Sequence, residues 1–459
     1  MNVALVTTEF PPFPGGIGTY TAALARLLSA GGHGVFVLYA GTGPAPPDPG
    51  PGVRIIHLSQ PHDGRNGRAP QGFPDLATHV HEAIGFSLAA RDWLTAHAEE
   101  ERIDVVEVPD HLGMGAVLQD VALPACVIVG HSTAAEFAWH DGLDRNRSDR
   151  LLDAMEFIGL ATGDVVACHS RSYQAELAEW LGREVLFAAA PLRPLDVPVR
   201  SSYEASADGT TRMIVLSRLQ IAKGAEVVCQ ALDTLGPEAG IEVDWYGKPT
   251  VVGEERLDIR PYLAAKYPRV WDRTLHWHAP IPPEQAWDRV HRADAVIVPA
   301  VWETYSFVAT EAGSLGAPLI VSEGAGASYL FEDDDSACIV PSGDAAALAA
   351  AMLRMKDTAV RGRLGRRARD VVRAQLEDGS VLAGRVAVYE RAIERRRLRR
   401  SKPLFRQGMS AATDHLFRWA AEAADRRVVN YTSRELLSIV GERAGSRVRR
   451  GLGLEPGGR

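Results

Sequence analysis

A chain of 459 residues exceeds one ordinary hydrophobic core, so two domains with additions are expected. Hydrophobic residues at 46% and charged residues at 24% fit a soluble globular protein, and a formal net charge of −8 excludes a general nucleic-acid binder. The charge is uneven: residues 391–459 carry 17 Lys and Arg against 7 Asp and Glu, which leaves −18 for residues 1–390.

The chain opens on a strand, NVALVTT, with no basic segment ahead of it, so the expectation is a cytoplasmic protein without a signal peptide. TYTAALARLLSA follows as a helix with Leu24, Leu27 and Leu28 on one side. Gly31 and Gly32 stop it, and VFVLYA is the next strand, which completes a βαβ unit. The connection between strand and helix is EFPPFPGGIG. Gly15, Gly16 and Gly18 let the backbone approach a bulky anion at the helix start, although a plain structural turn accounts for the same glycines. The spacing is not GxGxxG, and VFVLYA ends without the acid that would bind an adenosine ribose. A dehydrogenase is disfavoured.

Strands DVVEV (104–108), CVIVG (126–130) and GDVVACHS (163–170), with the helix QAELAEWLG, continue the alternation of a parallel sheet covered by helices. Asp110 and His111 follow one strand end and are assigned to the acceptor side. His131 closes another. A histidine there is either a satisfied structural residue or a hydrogen-bond donor to a reacting sugar or a developing negative charge. Cys126, Cys168, Cys229 and Cys338 are far apart without a CxxC pair and read as buried reduced thiols.

Residues 190–210, rich in Pro, Ser and Asp, read as a linker. A second alternating series runs from RMIVLS through IEVDWYG, TLHWHA, ADAVIVP and PLIVS. The division is a domain at 1–190, a linker at 191–210, a second domain at 211–378, a helix at 379–400 and a basic extension at 401–459. Two such domains place their strand ends face to face across a cleft, where ligands of open α/β sheets bind.

Arg218 leaves the first strand of the second series, and Lys223 precedes the next helix. Both cations can point at one anion, and two solvated surface charges are the alternative. After the buried run Val296, Ile297 and Val298 come Glu303 and Glu311, two carboxylates offered to one cleft. Ser306 is read as the N-cap of a helix that Gly316 and Pro318 stop. Free N–H groups at that helix start suit a phosphate or a sugar hydroxyl, and carboxylates accept from a polyol.

Two patterns suggest metal without carrying it. Asp333, Asp334 and Asp335 contain a DxD triplet but lie in an EDDDS turn, which reads as a solvated acidic turn. His276 and His278 share a strand face with no third ligand, so no metal is expected. In the extension Leu416, Phe417 and Trp419 mark an apolar helix face, and Thr432 with Glu435 makes a capping box. Packing back on the first domain is one reading. Peripheral contact with an anionic inner membrane face through residues 395–400 and Trp419 is the other. No apolar run approaches the roughly 18 residues of a membrane span.

Four ordered motifs, PPFPGGIGTYTAALARLLSAGGHGV, VLSRLQIAKG, ADAVIVPAVWETYSFVATEAGSLGAPLIVS and GDAAALAAAML after IVPSG, make nearly all of residues 1–390 resemble the retaining GT-B glycosyltransferases of family 4, glycosyl transferases group 1. The resemblance implies an α/β GT-B fold, two Rossmann-like parallel-sheet domains facing across a cleft, with a helical C-terminal extension. It implies transfer, with retention and without metal or cofactor, from a UDP- or GDP-linked sugar to a glycan, lipid-linked or small-molecule acceptor. Arg218 and Lys223 would hold the pyrophosphate, Glu311 the ribose and Glu303 the transferred sugar. His131 would contact the sugar near its anomeric carbon, Gly16 with its neighbours Gly15 and Gly18 would approach the phosphates, and the backbone of Tyr305, Ser306, Phe307 and Val308 would bind sugar or phosphate. The family usually shows Glu-Gly-Phe-Gly at Glu303-Thr304-Tyr305-Ser306, and Gly at Ser217. A stiffer, bulkier loop bears on sugar selectivity. An epimerase-like GT-B enzyme and a binding protein that has lost catalysis remain alternatives.

Overall fold

Short apolar runs become the strands of two parallel sheets. The computed structural model of the chain describes residues 1–11, 15–40, 50–58, 78–195, 197–204 and 206–401, and the readings made for Leu416, Phe417, Trp419, Thr432 and Glu435 lie outside them. The N-terminal lobe runs β1 (Asn2–Thr7), α1 (Gly16–Ala30), β2 (Gly34–Tyr39), β3 (Val53–His57), α2 (Thr78–His97), β4 (Val105–Pro109), β5 (Ala125–Gly130), α3 (Ala134–His140), α4 (Arg147–Thr162), β6 (Val165–Cys168), α5 (Arg171–Leu181) and β7 (Val185–Phe187). Its strands are parallel in the order β3-β2-β1-β4-β5-β6-β7. Every residue of β4, β5 and β6 is buried, which is why they read as continuous apolar runs rather than alternating ones.

The C-terminal lobe runs β8 (Thr211–Leu216), α6 (Ala225–Leu235), β9 (Ile241–Tyr246), a small hairpin of β10 (Val251–Val252) and β11 (Leu257–Asp258), α7 (Ile259–Lys266), β12 (Leu275–His278), α8 (Pro283–Arg292), β13 (Ala295–Val298), α9 (Phe307–Ser314), β14 (Leu319–Ser322) and β15 (Cys338–Val340). Its sheet is parallel in the order β12-β9-β8-β13-β14-β15. Helices α10 (Ala345–Arg354), α11 (Thr358–Gln375) and α12 (Asp378–Arg400) follow. Strand order reverses between β1 and β4 in one lobe and between β8 and β13 in the other. Each reversal opens a crevice at the carboxyl ends of the strands. This is the two-lobed α/β architecture that the resemblance implies.

Three connections fix the lobes. The segment before β8 is pinned to the C-terminal lobe, where Arg200 N donates to Leu315 O (2.8 Å) and Tyr203 Oη to Gly316 O (2.8 Å). Helix α12 returns to the N-terminal lobe and buries Arg385 and Arg396 completely, an expensive arrangement unless each cation is paired. Arg385 meets Glu107 (3.3 Å) and Arg396 meets Asp164 (2.7 Å). Arg395 binds Glu184, and Arg399 and Arg400 donate to the carbonyls of Thr162 (2.7 Å) and Leu123 (2.8 Å). The arginines offered for membrane contact at 395, 396, 399 and 400 thus hold this helix to its own N-terminal lobe. Among the described residues no helix is long and apolar enough to cross a membrane.

The third connection is direct. Trp302 of the C-terminal lobe stacks on His140 (centroids 4.7 Å apart, planes at 15°) and meets Phe137 edge-on at 5.5 Å. Asp141, which caps the C-terminus of α3, accepts from Ala222 N (3.1 Å) and from Gln220 Nε2.

Candidate active site

The C-terminal half of the cleft is built where β8 and β13 end. Lys223 lies in the tight turn before α6, where Gly224 takes φ 83° and a Cβ would sit 2.0 Å from Pro299 O, so only glycine lets the two loops come together. That approach brings Lys223 Nζ to 2.8 Å from Glu303 Oε1. Lys223 is 8% exposed, and burial pulls its ammonium below the usual lysine range while Glu303 pulls the other way. Arg218 stands beside it. Its guanidinium carbon is 5.0 Å and Lys223 Nζ 5.5 Å from the Phe137 ring centroid, so one aromatic ring from the opposite lobe receives both cations. Ser217, Lys223, Glu303, Ser306 and Val308 line one concavity at this switch point.

Ser306 precedes α9 as expected, but its side chain makes no capping hydrogen bond. Its φ of 147° is a conformation L residues rarely adopt, at a position where the sequence comparison expected glycine. Ser306 is thus the N-cap residue by position, but the backbone, not the hydroxyl, shapes the start of this helix, where Phe307 and Val308 supply its first N–H groups. Tyr305 is buried beneath, its ring 5.1 Å from that of Phe307. Glu311, buried one turn into α9, does not join Lys223 and Glu303. Its Oε1 lies 2.9 Å from Arg193 Nε, though the angle is not that of a hydrogen bond. Burial raises its carboxyl to about 7 and Arg193 draws it back.

On the N-terminal side, Gly15 precedes α1 in extended conformation, and the carboxylate of Glu9 lies over it. Gly18 N donates to Glu9 Oε2 (3.3 Å), and a Cβ on Gly18 would come within 3.2 Å of Glu9, whereas Gly16 is open. Burial raises the Glu9 carboxyl, and Gly18 N–H and Arg218 lower it. His131 follows β5, its ring edge-on to Tyr20 at 4.8 Å, and burial with the Arg385 charge depresses it to about 3. It is therefore a neutral hydrogen-bonding group rather than a proton donor at neutral pH. Thr304 Oγ1 donates to the His131 carbonyl, which ties this strand end to the loop that carries Glu303.

Two models of glycosyl transfer enzymes match the chain: Glycosyltransferase Family 4 over residues 14–186 and Glycosyl transferases group 1 over residues 210–357. The chain is a family 4, group 1 glycosyltransferase. It is 24% identical over 416 residues to a glycogen synthase of Mycobacterium tuberculosis, covering 85% of this chain and 94% of that one. In structure it is similar to the sucrose-phosphate synthase of Thermosynechococcus elongatus (TM-score 0.64, 19% identity, 86% of this chain and 99% of that one). It is also similar to Anabaena HepE in complex with UDP-glucose (TM-score 0.56, 13% identity, 85% and 98%). These likenesses establish the GT-B fold.

Within this glycosyltransferase one sequence reading needs correction. The Asp110 carboxylate, read as open to a ligand, is turned inward instead. The residue is 2% exposed, and its carboxylate accepts from His131 N (3.0 Å) and Ser132 N (3.3 Å), so it shapes the turn that presents His131. Burial raises its carboxyl to about 7. His111, lowered to about 4 by burial and the Arg218 charge, lies 4.0 Å from Glu156. The EDDDS turn of the glycosyltransferase is ion-paired, Asp334 with Arg363 (2.7 Å) and Asp335 with Arg367 (2.9 Å). His278 Nε2 contacts Asp244 Oδ1 (2.6 Å). Among the described residues no group of three or more His, Cys, Asp or Glu is arranged to hold a metal ion.

Several residues escaped sequence reasoning. Glu107 accepts from Tyr20 Oη (2.6 Å), Tyr389 Oη (2.7 Å) and Arg385, which sets a buried charged pedestal under His131. Asp141, Gln220 and Arg193 are equally distant in sequence from what they bind, and no local pattern marks them. Only Glu9, two residues past β1 and beside the glycines, stood where a search of strand ends would have found it.

Proposed function

We propose that this glycosyltransferase moves a sugar from a nucleoside-diphosphate sugar to a hydroxyl acceptor with retention at the anomeric carbon and without metal or organic cofactor. The observation that carries the reading is the convergence of Arg218, Lys223 and Glu303 at the start of α9, between the crevices of two facing sheets. HepE binds UDP-glucose, and the glycogen synthase names a sugar-polymerising relative, which supports a nucleotide-sugar donor and a carbohydrate-like acceptor.

As the bond from C1 to the diphosphate oxygen breaks, its electron pair goes to that oxygen. Arg218, Lys223 and the first N–H groups of α9 stabilise the growing negative charge. The acceptor oxygen attacks from the same face, and its proton passes to the departing phosphate. Glu303 holds sugar hydroxyls, Glu311 the ribose, and neutral His131 donates to the sugar near C1. Lobe contacts through Asp141 and Trp302 exclude water from the oxocarbenium-like transition state.

Lys223→Ala should cut transfer by about two orders of magnitude while the unfolding transition stays cooperative, the scale expected for one preorganised donor. Near-normal turnover in that variant, measured as nucleoside diphosphate released in the presence of acceptor, would overturn the assignment.

A further inference from the structure

His169 follows β6 at the carboxyl edge of the N-terminal sheet, one strand beyond the strand that ends at His131. It is 2% exposed. Its Nδ1 lies 3.3 Å from the carbonyl oxygen of Ala188. A carbonyl only accepts, so Nδ1 carries the proton and Nε2 is left as a lone-pair acceptor. Burial, with His131 and Arg385 nearby, holds the ring far below the usual histidine range, so Nε2 does not become a donor at neutral pH. Among the described residues Nε2 has no hydrogen-bond partner.

The surroundings say where that acceptor stands. The His169 ring is 4.9 Å from His131 and 4.5 Å from Tyr20 in its own lobe, and 5.9 Å from Tyr305 in the other. Tyr305 belongs to the loop that presents Glu303. The ring therefore sits at the lobe junction, beside His131 and against Tyr305 of the loop that carries Glu303. Tyr20 is fixed from below by Glu107, so the cluster cannot easily turn away to find another partner. A buried acceptor without a donor is unfavourable, and in a cleft built for a polyol the natural donor is a hydroxyl. Sites of this kind discriminate well, because a ligand lacking the hydroxyl leaves the buried group unpaired.

We propose that His169 Nε2 accepts a hydrogen bond from a hydroxyl of the transferred sugar, which makes His169 a specificity-determining residue of the donor site. The inference rests on the nucleotide-sugar reading above.

The test is thermal stabilisation of the full chain by paired probes: UDP and UDP-glucose, ADP and ADP-glucose, GDP and GDP-mannose. In the wild type one sugar ester should stabilise more than its free diphosphate. His169→Phe should keep the diphosphate shift and bind the sugar ester about tenfold more weakly, and His169→Gln should fall between. An unchanged sugar increment in His169→Phe overturns the proposal while leaving the donor reading intact. If the wild type responds to none of the six probes, the donor reading fails and takes this inference with it. Should His169→Phe not fold, His169→Gln is compared across monodeoxy analogues of the preferred sugar ester. A changed rank order supports the proposal and an unchanged one overturns it.

Discussion

Lys223 Nζ stands 2.8 Å from Glu303 Oε1, so the cation proposed for a diphosphate and the carboxylate proposed for a sugar neutralise each other across two loops. A donor that separates them gains both partners, and burial of Lys223 makes an unpaired state costly. Glu303→Gln keeps the shape and frees the lysine. Transfer should fall by about two orders of magnitude, while affinity for free nucleoside diphosphate, measured by calorimetry, holds or rises severalfold. A parallel loss of diphosphate affinity would mean that Glu303 orders the phosphate site rather than the sugar.

Arg385 and Glu107 are 278 residues apart in sequence and completely buried together, with Tyr20 and Tyr389 completing the shell of the carboxylate. Arg385→Ala leaves an uncompensated carboxylate in the core. It should cost about 3–5 kcal/mol in chemical denaturation. Combining it with Glu107→Gln should recover much of that loss, because the neutral amide no longer needs the cation. Equal stability of the single and double variants would remove the pair from the account.

What the sequence made legible follows from range. The strand β13 and the helix α9 announce themselves locally, through the run from Val296 to Val298 and the stop at Gly316, where φ is 81°. Lys223 and Glu303 were legible because each stands at a strand end beside a helix start. Asp110 was equally visible but misread: position in the sequence gives the end of β4, not the direction of a carboxylate that turns back to the His131 amide. Arg193 with Glu311 and Asp141 with Gln220 depend on how the chain returns across the cleft, which no local periodicity encodes.

Ser306 holds φ 147° and ψ 96° with no side-chain hydrogen bond at the helix start to compensate. Ser306→Gly removes the strain but adds freedom to the unfolded chain, and the balance should favour the folded state by about 1 kcal/mol. Ser306→Ala relieves nothing and should be neutral or worse. Denaturation midpoints of the two variants separate these outcomes, and an equal gain in both would show that the hydroxyl, not the backbone, is the unfavourable element.

Glu311 supplies a dependence on pH whose direction is fixed by its shift. Its carboxyl is raised from 4.5 to about 7, so the folded protein binds that proton more tightly than the unfolded chain does. Its contribution to stability is therefore full below about 4.5 and is lost as pH rises toward 7. Asp110, raised from 3.8 to about 7, acts in an overlapping window, and burial is the leading cause for both. Glu311→Gln should gain stability relative to the wild type as pH rises through this range, by about 1–3 kcal/mol at the upper end, and Asp110→Asn should behave likewise. Donor binding should run the opposite way in the wild type. A carboxylate accepts ribose hydroxyls better than a carboxylic acid, so affinity for the sugar nucleotide should weaken below pH about 7. In Glu311→Gln that dependence should flatten while it persists in Asp110→Asn. Calorimetric titration of the three proteins between pH about 5 and 8 measures both halves. A wild-type affinity independent of pH would detach Glu311 from the ribose and leave Arg193 as its sole partner.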